Sequence, residues 1–243
     1  MNVKKRMKRT IDAQRVVDDA RSQVGVSDAQ MERASEDPRF SAEVRARLKV
    51  STANALSNIK VIQERTGERA AQVHVKANAL LNSRDPIWIR LRKLYALIDE
   101  LHSFNGENVA CRRGCSHCCH TQVAMAPAEA EMLGRAIGRK PRQNVARNRA
   151  LGHYDAQPYG YHTPCPFLVD HACSIYEHRP LVCRKLINAD IDDLLCHLTA
   201  PPGPPVPYLD RVAFDFANVA ICTSGSSLPK SADIREYFPR ETK

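Results

Sequence analysis

Cysteine thiolates are soft metal ligands, and four of them fall within nine residues of this chain: Cys111-Arg112-Arg113-Gly114-Cys115-Ser116-His117-Cys118-Cys119. A second group follows. It opens with Cys165-Pro166-Phe167-Leu168 and continues as Cys173-Ser174-Ile175-Tyr176-Glu177-His178-Arg179-Pro180-Leu181-Val182-Cys183-Arg184. A Cys-x-x-Cys step such as Cys115 to Cys118 lets two thiolates reach one ion. Gly114, just before it, permits the tight turn that brings backbone amides toward sulfur. Adjacent side chains usually diverge, so Cys118 and Cys119 are expected to face different ligand sets. That geometry suits two neighbouring ions, or one ion with a spare thiol.

The two groups hold seven cysteines, and Cys196 is the natural eighth. The expected metal ligands are therefore Cys111, Cys115, Cys118, Cys119, Cys165, Cys173, Cys183 and Cys196, with their sulfurs converging in space. Cys222 is expected apart from them, as a buried apolar residue. Eight thiolates suit two four-cysteine zinc sites, or an iron–sulfur cluster with sulfurs left over, and the residues leave this choice open. Their softness excludes calcium and magnesium as the intended ion. His117, His120, His171, His178 and His197 lie near cysteines and could ligate or donate hydrogen bonds to ligands. Taken singly, each reads more simply as a polar loop residue; His120, directly after the cysteine pair, stands out. Arg179 and Arg184 would offset negative charge at a polythiolate site, or bind an anionic substrate. No residue declares itself as catalytic or as binding an organic cofactor.

These ligands need elements to hold them. Residues 1–40 are polar and charged, compatible with short helices or disorder, with Pro38 as a break. Residues 41–82 are helix-compatible, with Gly67 as the weak point, and their thin apolar content predicts exposed helix or a helical hairpin. Asp85 is a candidate cap, with Pro86 at the first helical position. Ile87, Leu91, Leu94, Tyr95, Ile98 and Leu101 then recur at helical spacing as a core stripe, with Trp88 on or beside it. Pro127 opens a helix reaching about Gly138, with Met132, Leu133, Ala136 and Ile137 as its buried face and Pro141 as its stop. Residues 153–164 look irregular. Phe167-Leu168-Val169 and Ser174-Ile175-Tyr176 flank a turn at Asp170-His171-Ala172, a small hairpin carrying Cys165 and Cys173. Pro180 starts a short helix holding Cys183. The proline-rich run 200–207 predicts a stiff connector, or a docking segment for an aromatic groove. A last helix follows over 208–222, and the final twenty residues are expected to be loose. The fold class is mainly α: a helical N-terminal region plus a small irregular cysteine-rich metal-binding lobe with a short β-hairpin. The expected units are a helical N-terminal region over 1–84, a metal-binding domain over 85–200, and a connector with C-terminal helix over 201–243.

A chain of 243 residues can bury a core without help from a metal. The net charge is +9, part of it in Lys4, Lys5, Arg6, Lys8 and Arg9, and part in Arg139, Lys140, Arg142, Arg147 and Arg149. Such an excess could meet nucleic acid or an acidic protein partner, although scattered charges without interleaved aromatics read more plainly as solvated surface. Ile11-Asp12-Ala13-Gln14-Arg15 breaks any secretory apolar region at once, and no stretch is apolar enough to span a membrane. A cytoplasmic location is expected, where thiols stay reduced and nine cysteines read as ligands rather than disulfides.

At these residues the chain resembles the YkgJ-type cysteine-cluster family, the CxxCxxCC zinc- or iron-chelating domain. The resemblance runs over about residues 105–200. It rests on Gly114-Cys115-Ser116-His117-Cys118-Cys119, Ala126-Pro127-Ala128-Glu129-Ala130, the Cys165-Pro166-Phe167-Leu168 segment and the stretch from Cys173 to Arg184. One departure is the three residues between Cys111 and Cys115. The resemblance implies chelation of zinc or iron. A relative in that family, the flagellin lysine-N-methylase, uses S-adenosylmethionine, which makes a protein lysine methyltransferase an alternative; no glycine-rich methyl-donor motif of the usual kind is present. A zinc-stabilised nucleic-acid binder is the other alternative.

Overall fold

The computed structural model describes residues 20–145, 163–197, 203–223 and 230–240. The basic residues Lys4 to Arg9, Arg147, Arg149, most of the irregular 153–164 stretch and the start of the proline-rich run lie outside the described residues.

The fold is mainly helical, with short antiparallel strand pairs. Helix α1 (Asp28–Ser35) is opened by Ser27, whose hydroxyl accepts from the Gln30 N–H while Gln30 Oε1 accepts from the Ser27 N–H. It stops before Pro38. Helix α2 (Ala42–Thr66) is capped by Ser41. Gly67, at φ +50°, breaks the chain direction, and α3 (Glu68–Leu81) follows. The two helices do not pair as a hairpin. Val73, Ala77 and Leu80 of α3 join α4 (Ile87–His102) and α7 (Val212–Thr223) in the largest apolar cluster, around Leu91, Ile98 and Phe214. Helix α2 instead buries Leu48, Ala55, Ile59 and Ile62 against residues 187–195 and 206–209. Its expected exposure is thus corrected: the buried residues Val44, Leu48, Ser51, Ala55, Ile59, Ile62 and Thr66 are spaced every three or four, and Ser and Thr complete a face that apolar counting misses.

The α4 stripe is core as its spacing predicts, each fully buried Leu or Ile contributing roughly 1.5–3 kcal/mol. Trp88 stays on the surface beneath Arg92. The cap differs from expectation. Pro86 is itself the cap, its carbonyl accepting from Ile89 and Arg90, while the Asp85 carboxylate is taken by Lys93 at 2.6 Å.

Helix α5 (Pro127–Ile137) ends at Gly138 in the left-handed region. Its buried face is Glu129, Ala130, Leu133 and Gly134; Ala136, expected inside, is exposed. The Glu129 carboxylate accepts from the Tyr95 hydroxyl, the Ala126 and Leu181 N–H groups and Asn218 Nδ2, so one buried acid ties α4, α5, α6 (Leu181–Lys185) and α7 together. Strands β2 (Leu168–Val169) and β3 (Ala172–Cys173) form a hairpin where one is expected, but its turn is Asp170 and His171 alone, both at positive φ as a two-residue turn of this type requires. Ala172, expected in the turn, opens β3, and Ser174-Ile175-Tyr176, expected as the second strand, follow it. The last helix begins at Val212 rather than at 208. The proline run is not a free connector at its described end: Val206 and Leu209 are buried, and Tyr208 and Leu209 bridge to Asn188 and Val24.

The tail brings the largest correction. Residues expected to be loose form β4 (Ala232–Asp233), paired with β1 (Ala124–Met125), and a one-turn helix α8 (Ile234–Tyr237). Ile234, Tyr237 and Phe238 are buried, Phe238 edge-on to Phe167 with ring centroids 5.5 Å apart. No helix among the described residues is long and apolar enough to cross a membrane.

Candidate metal centre

The first cysteine loop begins where the Ala110 N–H donates to Asn188 O. Gly114 takes φ +96°, a backbone that a Cβ would strain, and the Cys115 N–H closes a turn on Arg112 O. A 3-10 turn over His117–His120 then carries Cys118 and Cys119. The two adjacent residues differ in surroundings: Cys119 is buried in an apolar cluster that does not include Cys118. The neighbouring Cys119 thiol and the Arg179 charge lower the Cys118 pKa despite its burial. The same neighbour raises Cys119.

The second stretch closes on the first through the Cys165 N–H, which donates to Cys119 O at 2.8 Å. Three sulfurs lie in the field of the backbone N–H two residues ahead: Cys115 of His117, Cys165 of Phe167 and Cys173 of Ile175. Such donors favour the thiolate. Burial opposes them, pushing Cys111 and Cys165 up to about 11 and raising Cys115, Cys173, Cys183 and Cys196. At neutral pH these six hold their protons, so a metal entering the set would displace them.

Cys118 lies near sulfurs of both cysteine stretches. Its thiolate raises the pKa of Cys111, Cys115, Cys119, Cys173, Cys183 and Cys196. Around it the sulfurs fall into two neighbourhoods. Cys119, Cys165, Cys173 and Cys183 lie in an apolar cluster with Val123, Leu133, Phe167, Ile234 and Phe238. Cys111 and Cys196 lie on the other side, bridged by Asn188, whose backbone N–H donates to Cys111 Sγ at 3.2 Å and whose Nδ2 lies 3.4 Å from Cys196 Sγ. Cys222 is elsewhere, in the α3–α4–α7 cluster beside Asn218.

One group of three or more metal-ligating side chains, among the described residues, brings its ligand atoms within 4.8 Å of one another: Cys115, His117 and Asp193. No three cysteine sulfurs among the described residues meet at that distance. His117, not His120, is the histidine so engaged. Asp193 was invisible in the sequence reading, one acid among several in a polar loop. Arg179 stacks on Tyr176, 3.6 Å from its centroid, and its charge lowers Cys111, Cys118, Cys173 and Cys183. Arg184 has a different role from the one expected at sulfur: it is buried, bonded to Asp99 and to the Arg179 and Glu177 carbonyls.

Two outlying segments hold these loops. Helix α2 grips residues 188–192, through Arg47 to Asp192 at 2.8 Å, Asn54 Nδ2 to Asp190 at 2.8 Å and Asn58 Nδ2 to Ala189 O at 2.8 Å. The tail grips the first loop. Arg235 donates to the carbonyls of Cys119, Thr121 and Thr163, and the Asp233 carboxylate accepts the Val123 N–H. Neither clamp was foreseen.

Sulfurs backed by amide donors and a nearby guanidinium suit a thiophilic ion, so the residues present fit zinc or iron. No curated protein and no solved structure matches the chain. Residues 110–197, which run from just before Cys111 to just after Cys196, match the family model described as "CxxCxxCC: Putative zinc- or iron-chelating domain", and the chain carries that domain.

Proposed function

We propose that the protein chelates zinc or iron through thiolates of Cys111, Cys115, Cys118, Cys119, Cys165, Cys173, Cys183 and Cys196, with an iron–sulfur cluster as one form the bound iron could take. The observation that carries this reading is the contact between the two cysteine stretches: the Cys165 N–H donates to Cys119 O at 2.8 Å, and Asn188 reaches the sulfurs of both Cys111 and Cys196. Soft thiolates select such ions over harder ones. The amide donors to Cys115, Cys165 and Cys173 support it, because they compensate a thiolate without competing for the metal.

The test is anaerobic purification of the full chain, with elemental analysis and an optical spectrum. Bound zinc or iron is expected, with an iron–sulfur chromophore if a cluster forms. Cys118→Ser should lower metal content, and Cys222→Ser should leave it unchanged. A chain free of both metals that also fails to take them up anaerobically would refute the reading.

A further inference from the structure

We propose that Cys115, His117, Asp193 and His197 form a second divalent-metal site of mixed sulfur, nitrogen and oxygen donors, on the rim of the cysteine region. His117 Nε2 lies 3.2 Å from Asp193 Oδ2. His197 Nε2 lies 3.6 Å from Asp193 Oδ1. The two imidazoles lie beside each other, centroids 4.5 Å apart and planes tilted by 37°. Cys115 Sγ, the His117 nitrogen and the Asp193 oxygen all lie within 4.8 Å of one another, with His197 beside Asp193 as a fourth donor, and an ion would draw the set in to the separations a tetrahedral site needs. Those are about 3.3–3.8 Å for metal–ligand bonds of roughly 2.0–2.3 Å.

The backbone explains why these donors face one another. His117 opens the 3-10 turn that follows Gly114, two residues beyond Cys115. Asp193 and His197 cap the two ends of a second 3-10 turn, Leu194–Cys196, so they stand on the same edge of it. The loop before Asp193 is fixed to α2 through Asp190 and Asp192. Both sides of the site are thus set by contacts outside it.

Its chemistry differs from that of the other cysteines. One thiolate and one carboxylate supply two negative charges, which a divalent ion neutralises. Two imidazoles and one sulfur suit zinc, cobalt or nickel. His117, Asp193 and His197 side chains are 32%, 29% and 46% exposed, whereas Cys165 is 5% exposed. An ion here exchanges directly with solvent; one held by Cys165 and its neighbours does not. The plain rival is a surface His–Asp pair with no ion. The site shares Cys115 with the chelating set proposed above and is otherwise independent of it.

The probe is Co2+, added anaerobically to the metal-free full chain. Two binding classes are expected: one rich in sulfur-to-cobalt absorption and slow to yield to a chelator, one with a single-thiolate signature and fast to yield. Asp193→Asn and His117→Ala should each weaken the fast class more than about tenfold and leave the slow class intact. Asp193→Cys should add sulfur-to-cobalt absorption to the fast class, which a merely structural Asp193 would not do. Unchanged fast-class affinity in His117→Ala and Asp193→Asn, with the helical circular dichroism preserved, overturns the inference. Cys165→Ser and Cys183→Ser separate the two proposals. If they change no metal binding while the rim variants do, only the all-cysteine reading falls. If they remove metal while the rim variants do nothing, only this one falls.

Discussion

The two sides of the cysteine region use one residue type and opposite means of support. Cys119, Cys165, Cys173 and Cys183 are set among Val123, Leu133, Phe167 and Phe238, and the tail is fastened over them. Cys111 and Cys196 are held by polar contacts: Asn188 to both sulfurs, and α2 to the 188–192 loop through Arg47, Asn54 and Asn58. Apolar burial is insensitive to direction but excludes water. A hydrogen-bonded frame is directional and tolerates water. The first side should therefore shield its sulfurs, while the second leaves Cys115, His117 and Asp193 open to exchange.

The largest effect should come from emptying the apolar side. Phe238→Ala removes a fully buried ring from against Phe167 and should cost about 3–5 kcal/mol. Denaturant unfolding measures the loss. In the metal-free folded protein, Cys165 and Cys173 should become reactive to a thiol reagent while Cys111 and Cys196 keep their rates. Uniform acceleration of all four would erase the contrast.

Asn54→Ala probes the polar side. It takes a donor from the Asp190 carboxylate, which is fully buried, and should cost roughly 1–3 kcal/mol. Here Cys111 and Cys196 should label faster and Cys165 should not.

Acid should act on the helical cluster on which both sides rest. Burial, with the charges of Arg211, Arg179 and Arg184, lowers the His102 pKa to about 3, and burial with Arg211 lowers His74. The unfolded chain takes up these protons near pH 6.5 and the folded chain does not. The stabilisation is therefore complete above pH 6.5 and is lost as pH falls toward 3, by about 1 kcal/mol per pH unit for His102. Denaturation midpoints measured from pH 7 to 4.5 should fall, and His102→Gln should flatten the slope.

The smallest effect is expected at Gly114→Ala. Nothing lies within 4 Å of the added methyl group, so the cost is that of the backbone at φ +96°, about 1–2 kcal/mol. It should loosen Cys115 and weaken the fast cobalt class, where Cys115 is the one sulfur, more than the slow one, where other thiolates remain.

Much of this was legible because local chemistry leaves local marks. The cysteine spacing located the metal-binding domain, Asp170-His171 made a turn between short apolar runs, and the α4 stripe repeated often enough to declare its face. Other features depend on partners far along the chain. Asp193 gains meaning from Cys115 and His117, and Asp190 from Asn54. Glu129 resembles any acid in a first helical turn until Tyr95, Leu181 and Asn218 are seen around it. Ile234, Tyr237 and Phe238 are too few to show a period, so a buried segment passes for a loose end.

That segment has a consequence for the order of events in the cell. Ribosomes make the chain from its amino end, so all nine cysteines are polymerised before Asp233 and Arg235, the residues that fasten the loop after Cys119. A growing chain that has not reached residue 233 carries its thiols with the cover still unmade. An ion supplied during translation meets an uncovered ligand set; one supplied afterwards meets Arg235 already bonded to Cys119, Thr121 and Thr163. When the metal arrives thus decides which door it finds.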